Sequence, residues 1–324
     1  MEKLNYEKVF CTLVDKTREY IQSNNLGAMV LGISGGIDST VVAAICHEIS
    51  KNTGIPLIGR SLPIKNKGDE FDVSKLVGEA FCDEFKVCPM TRLYHAALKE
   101  VYQVENMDRH ESMYTIKELE TANGQTPIAN GNIQARLRMM FLYNLASIHK
   151  GLVMSTDNQT EYQLGFWTLH GDVGDFNPLF GLWKTEVYEL ANYIKEDYIK
   201  CWEKYDITEP QYYYYKRMIE ALDASIKLTP TDGLGISNSD LEQIGAKSYA
   251  EVDDILSRYI PYEEYRKRYV GPIHEYDEME ESECWEDLCT KYGKEVVNKV
   301  WNRHLASEFK RKNLPIIIGR GLYA

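Results

Sequence analysis

The run Ser34-Gly35-Gly36-Ile37-Asp38-Ser39-Thr40 puts two glycines, three hydroxyls and one carboxylate within seven residues. Apolar residues 28–33 precede it and read as a strand. The run Val41-Val42-Ala43-Ala44-Ile45 follows it inside a stretch, 38–51, that reads as a helix. A strand, a glycine turn and a helix N-terminus together bind anions through backbone N–H groups and the helix dipole. Gly35 and Gly36 let the backbone approach an anion closely, and Ser34, Ser39 and Thr40 add hydroxyl donors. No Gly-Lys-Ser/Thr follows, so this is not the lysine-bearing phosphate loop. Asp38 falls in the first helical turn, where its carboxylate would repel a polyphosphate unless a cation bridged the two. The chemistry implied is a magnesium polyphosphate gripped at its pyrophosphate end. A plain strand-to-helix turn, with Asp38 favouring the helix dipole, fits the same residues.

Three more segments carry polar residues that a fold alone does not require. In Gly131-Asn132-Ile133-Gln134-Ala135-Arg136-Leu137-Arg138-Met139, Asn132 and Arg136 are four apart and share one helix face near its start. Ser155-Thr156-Asp157-Asn158-Gln159-Thr160-Glu161 leads to His170-Gly171-Asp172-Val173-Gly174-Asp175, and Lys184-Thr185-Glu186 precedes another helix. Each has a plainer reading. Arg136 fits a surface arginine, Asp172 and Asp175 fit turn formers beside glycine, and Lys184 fits an exposed lysine before an N-cap at Thr185. Thr231 after Pro230 fits a turn.

The elements that would position these groups alternate. An amphipathic leading helix spans 5–24, with Val9, Phe10, Leu13, Val14 and Ile21 near a 3.6 period. After strand 28–33 and helix 38–51 come a strand near 55–62, a helix over 70–85, a strand over 86–90 and a helix over 91–103. Residues 106–125 read as helix with loops. A helix over 131–150, a strand over 151–155 and a helix over 185–195 follow. Strands alternating with helices imply an α/β fold: a doubly wound, Rossmann-like parallel sheet covered on both faces. Its site should lie beyond the carboxyl ends of the strands, where the 34–38 loop and the loop after 153–155 both fall. The last third reads as a helical C-terminal extension. In it, Tyr212-Tyr213-Tyr214-Tyr215 cannot all face one way on a helix, which suggests an interface or packing against another element.

The composition narrows the class. A chain of 324 residues with 44% hydrophobic and 27% charged residues is ordinary for a soluble protein. No apolar run approaches the ~18–20 residues of a membrane span, and the charged start has no apolar signal core. Seven scattered cysteines without a Cys-x-x-Cys point to a reducing, cytoplasmic compartment. The net charge of −12, with Glu275, Asp277, Glu278, Glu280, Glu281, Glu283, Glu286 and Asp287 in one stretch, speaks against a nucleic-acid substrate.

Ser-Gly-Gly-x-Asp-Ser resembles the pyrophosphate loop of the N-type ATP pyrophosphatases, which cleave ATP to AMP and pyrophosphate. Together with Gly-Asn-Ile-Gln-Ala-Arg-x-Arg-Met and the Glu…Gly…Thr…Gly-Asp…Asp…Pro-Leu run, it resembles NAD synthetase, the amidating member of that group. The resemblance spans about 31–191, plus 230–234 and 239–245. It implies a single domain over 1–324, with an α/β core to about 200 and a helical extension from about 201. It also implies amidation of deamido-NAD through an acyl adenylate, with ammonia as donor, and a homodimer.

The resemblance implies roles for individual residues. Ser34, Gly35, Gly36, Ile37, Asp38, Ser39, Thr40, Thr156 and Lys184 would contact ATP and pyrophosphate. Asp38 and Glu161 would hold magnesium. Asn132, Arg136, Asp172 and Asp175 would contact deamido-NAD, and Asp38, Lys184 and Thr231 would act at the reacting groups. The sequence departs from the family in several places, among them residues 197–226 and the acidic C-terminal region, which are longer than in compact members. Ser61 stands where an ATP-site arginine is usual, and Arg60 beside it should face the other way. Pro230-Thr231-Asp232-Gly233-Leu234 replaces the usual Pro-Thr-Ala-Asp-Leu. Lys310-Arg311-Lys312-Asn313-Leu314-Pro315 resembles a basic tail that closes over the site. Two rivals remain beside this reading. A tRNA-thiolating pyrophosphatase would want a basic surface and a cysteine pair. A non-catalytic nucleotide-binding module would need neither Glu161 nor the Asn132/Arg136 pair.

Overall fold

The computed structural model describes residues 4–64, 68–105, 115–121, 126–229, 240–269 and 275–311. Its centre is a four-stranded parallel sheet built from β1 (Met29–Gly32), β2 (Leu57–Ser61), β3 (Glu84–Val87) and β4 (Leu152–Val153), in the order β3-β2-β1-β4. Met29 stands opposite both Leu57 and Leu152, so β1 is paired on both sides. A central strand covered on both faces needs apolar residues at successive positions, and Met29, Val30 and Leu31 are all fully buried. Met29 and Leu31 enter one core cluster, while Val30 enters the other.

The first cluster lies under α1 (Tyr6–Ser23), α2 (Ile37–Thr53), α3 (Gly68–Phe81), α8 (Lys184–Trp202) and α9 (Pro210–Lys227). The second lies under α4 (Thr91–Glu105), α5 (Ile116–Thr121) and α6 (Thr126–Ile148). The sheet is thus doubly wound, as the alternating pattern implies. A third cluster joins Leu164 of α7 (Gln159–Leu164) to α10 (Asp240–Ile244), α11 (Tyr249–Tyr269), α12 (Glu275–Tyr292) and α13 (Lys294–Ala306), with α14 (Glu308–Arg311) closing the described chain. Of the helical extension, α9 thus packs into the first cluster beside the sheet, whereas α10 to α13 have a core of their own that meets the rest of the chain at α7 and α8. The acidic stretch lies along α12.

Several boundaries differ from the sequence expectation. α6 starts at Thr126, not 131, because Pro127 suits a first helical turn, where its missing N–H is not needed. α3 ends at Phe81 and β3 begins at Glu84, earlier than the helix to 85 and the strand from 86. Asp83 explains this: its Oδ2 accepts from Leu57 N at 2.7 Å and Ser50 Oγ at 2.6 Å, which draws the chain out of the helix. α8 begins at Lys184 itself, so Thr185 is not its N-cap. The tyrosine run mostly packs inward. Tyr214 meets His47, Tyr215 meets Tyr198 and Tyr205, Tyr212 meets Trp202, and Tyr213 remains exposed.

Candidate active site

The loop from β1 to α2 follows from its residues. Gly35 takes φ +90°, a region that side chains avoid. Gly36, in extended backbone, precedes the helix. The first N–H groups of α2 have no intrahelical acceptor, so they face the mouth of the loop. Ser34 Oγ accepts from Gly36 N at 3.2 Å and lies 3.0 Å from Ser39 Oγ. Ser39 Oγ and Thr40 Oγ1 both donate to Gly36 O, at 3.0 and 2.9 Å. Thr40 is fully buried, and its hydroxyl also lies 2.7 Å from Ser225 Oγ, which donates to Gly35 O at 2.9 Å. The Thr40 side chain therefore braces the turn. Ile37 is buried and offers backbone only.

Beyond the end of β4, Asn158 caps α7. Its Oδ1 accepts from Glu161 N at 3.0 Å, and Glu161 Oε2 accepts from Asn158 N at 3.2 Å. The same asparagine donates Nδ2 to Asp38 Oδ1 at 2.9 Å, tying the two loop ends together. Lys184, 3% exposed, donates Nζ to Asp38 Oδ2 and, at 3.0 Å, to Glu161 Oε1. Burial opposes its charge, but the Asp38 and Glu161 carboxylates outweigh that and hold the ammonium protonated well above the usual lysine range. Burial pushes the Glu161 carboxyl up to about 8. Lys184 opposes the rise, and the Asp38 and Asp157 carboxylates add to it. Burial likewise carries Asp157 up to about 7, against a 2.7 Å hydrogen bond from Ser155 Oγ. Thr156 lies half-buried between these groups in the chain.

This arrangement fits a divalent cation. Asp38 and Glu161 supply oxygen donors on either side of a point that already holds one positive charge. Among the described residues no larger set of acidic, histidine or cysteine side chains gathers to cage an ion. One or two carboxylates completed by phosphate oxygens and water is the usual setting for magnesium.

The second constellation assembles on the neighbouring loop. Asn132 Oδ1 accepts from Thr168 Oγ1 at 2.8 Å, Arg136 Nη2 reaches Leu169 O at 3.2 Å, and Asp172 Oδ1 accepts from Thr168 N at 2.6 Å. Burial pushes the Asp172 carboxyl up to about 6, against the Thr168 N–H. Asp175 behaves differently: its Oδ2 accepts from Val153 N at 2.9 Å and so steadies β4. Lys310 donates to Gly165 O at 2.6 Å and to Trp167 O, which sets the end of the described chain against this loop. Arg60 faces away, bound to Glu84 Oε1 at 2.5 Å and buried with Ser61. Thr231 and residues 312–315 lie outside the described residues, as does the 230–234 segment.

Three residues that brace the site were not singled out in the sequence. Asn158 had a findable signal in its Asn-x-x-Glu spacing to Glu161, the pattern of a capping box. Ser225 and Asp253, whose carboxylate accepts from Thr160 Oγ1 at 2.5 Å and from Thr185 N at 2.9 Å, are lone polar residues on helices, and nothing local distinguishes them.

A sequence model of the NAD synthase family matches residues 9–314. The chain is 30% identical over 211 residues to the NH3-dependent NAD+ synthetase of Campylobacter jejuni, a match covering 64% of this chain and 76% of that protein. It is 31% identical over 246 residues to the enzyme of the same name from Thermoplasma acidophilum, covering 74% and 79%. The fold is also that of the NMN synthetase structure from Francisella tularensis, with a TM-score of 0.65, 21% identity and coverage of 98% and 100%. The family match spans the glycine turn, the paired carboxylates and the buried lysine within one stretch that covers most of the chain: the chain belongs to the NAD synthase family.

Proposed function

We propose that this chain amidates deamido-NAD to NAD in an ATP-dependent reaction that uses ammonia and releases AMP and pyrophosphate. The observation that carries the reading is the Asp38–Lys184–Glu161 group at the mouth of an anion-binding turn. A carboxylate is a poor electrophile at neutral pH. Its oxygen attacks the α-phosphorus of ATP, the bond to the β-phosphate oxygen breaks, and pyrophosphate leaves into the 34–39 loop. Ammonia then attacks the acyl carbon of the adenylate, the bond to AMP breaks, and the amine loses a proton. The N–H groups of α2 and the Ser34 and Ser39 hydroxyls bind the leaving pyrophosphate, where charge develops. Asp38 and Glu161 would hold a magnesium ion, which would supply further positive charge to the phosphates. Lys184 stays protonated and orients both carboxylates. Asn132, Arg136 and Asp172 flank the 168–172 loop and hold the dinucleotide, while Asp175 supports that loop from the β4 side. Thr156 meets the nucleotide, and Thr231 belongs near the reacting carboxylate.

The relatives named NH3-dependent favour free ammonia. Seven free cysteines favour a cytoplasmic setting, and no helix among the described residues is long and apolar enough to cross a membrane. The organisation proposed is one domain, an α/β core to about 200 with a helical extension from about 201. A homodimer through α6 is proposed from its exposed Met140, Tyr143 and Ile148.

Exchange of labelled pyrophosphate into ATP tests the reading. It should require magnesium and deamido-NAD and no nitrogen source, because it passes through a reversible adenylate. Adding ammonium should yield NAD. Exchange supported equally by a mononucleotide acid would change the substrate, and release of ADP with phosphate would refute the reading of the loop.

A further inference from the structure

α8 begins with a problem. Its first residue, Lys184, carries the ammonium of the site, yet the residue before it is Trp183, whose indole cannot accept a hydrogen bond from the helix N-terminus. Glu186 Oε2 accepts from Trp183 N at 2.9 Å, and Val187 N makes the first bond within the helix, so of the three N–H groups between them those of Lys184 and Thr185 are met from elsewhere. Lys184 N donates to Thr160 Oγ1 at 2.8 Å, and Thr185 N donates to Asp253 Oδ2 at 2.9 Å. Thr185 Oγ1 donates to the same oxygen at 2.8 Å, and Thr160 Oγ1 donates to Asp253 Oδ1 at 2.5 Å.

Asp253 thus binds both the residue before Glu161 and the residue after Lys184. It is fully buried and comes from α11, in the helical extension. Its neighbours Val252, Ile255 and Leu256 lie in the third core cluster with Leu164 of α7. The carboxylate is worth its burial cost only if both oxygens are met, and each of them is. An asparagine can keep its oxygen toward Thr185 only by turning an amide N–H₂ toward Thr160, whose hydroxyl must then accept instead of donate, and every charge-assisted bond to the carboxylate is lost.

We infer that Asp253 is a positioning residue for the reaction, a long-range cap from the extension that holds Lys184 and Glu161 in register with Asp38. Docking of the extension and assembly of the site are then one event. This inference rests on the proposed amidation for its kinetic readout, and it touches neither substrate nor metal.

The test compares Asp253→Asn, Thr160→Val and Thr160→Ser in the full chain. Turnover with magnesium ATP, deamido-NAD and ammonium is measured beside amide hydrogen exchange at residues 184–185. Removing such a supporting bond typically costs about 10–100-fold, so kcat should fall by roughly that factor in Asp253→Asn and Thr160→Val. The KM for deamido-NAD should stay within about twofold, because the 168–172 loop is held separately. Thr160→Ser keeps the hydroxyl and should retain kcat within about twofold, and only the first two variants should exchange the 184–185 amides faster. The inference is overturned if Asp253→Asn keeps parental kcat, if the loss lies in KM alone, or if Thr160→Val and Thr160→Ser behave alike. Should Asp253→Asn not fold, the Thr160 pair decides. If the parent does not amidate deamido-NAD, the functional reading fails, and equal exchange at 184–185 in the two Thr160 variants would separately overturn the clamp.

Discussion

Lys184 balances the charge of the site. Two carboxylates meet its ammonium, with Asp157 close behind. Removing one member of a buried ion group leaves uncompensated charge and costs about 3–5 kcal/mol. Lys184→Met should therefore lower the melting temperature clearly. Magnesium should raise the melting point of the variant more than that of the parent, since a cation can take the vacated place between Asp38 and Glu161. Equal shifts in thermal melts with and without magnesium would count against a metal there.

Asp172 gives a pH signature. Its carboxyl is raised by burial to about 6 from an ordinary 3.8. Between those values the folded chain binds more protons than the unfolded one, so this group's contribution is full below about pH 4 and is lost as pH rises to about 6. Asp172→Asn removes the titration. The stability difference between parent and variant should move against the parent by up to about 3 kcal/mol from pH 4 to pH 6.5, then level off. Denaturant melts across that range check it, and a constant difference would contradict the raised value.

Among the elements, α3 and β3 show how tightly the sheet edge is set. A Cβ at Gly78 would stand 2.2 Å from the Phe85 ring, so α3 can cross β3 only where it carries no side chain. Gly78→Ala should cost about 1–3 kcal/mol through overpacking. In a Phe85→Leu background that cost should shrink, because the two positions couple through one contact. A double-mutant cycle of unfolding free energies measures this, and full additivity would show that the ring is free to move.

For the whole molecule, α6 covers one face of the sheet and leaves Met140 at 56% and Ile148 at 67% exposure. If the proposed homodimer uses this face, the parent should sediment as a dimer at micromolar concentration. Met140→Glu together with Ile148→Glu should give a folded monomer of about half that mass, because buried unpaired carboxylates oppose association. A parent that sediments at 37.4 kDa throughout would exclude the dimer.

The strand–turn–helix at 28–45 was legible in the sequence because its information is local. A buried parallel strand needs an apolar run, a turn at positive φ needs glycine, and an anion site needs a helix start just after it. The same locality exposed the doubly wound alternation and the resemblance of the Gly35, Asp38 and Glu161 motifs to a known family. Tertiary structure alone decided where the charges meet. Lys184 lies 146 residues from Asp38, and as a lone lysine before a threonine it fits a surface position equally well. It also joined Thr40 to Ser225 across the turn, and Asp175 to the backbone of β4. Asp253, 68 residues from Thr185, has no periodic or spacing signal at all. Hydrogen bonds between distant elements carry no short-range pattern, so their partners appear only when the chain is folded and each buried polar group must find its match.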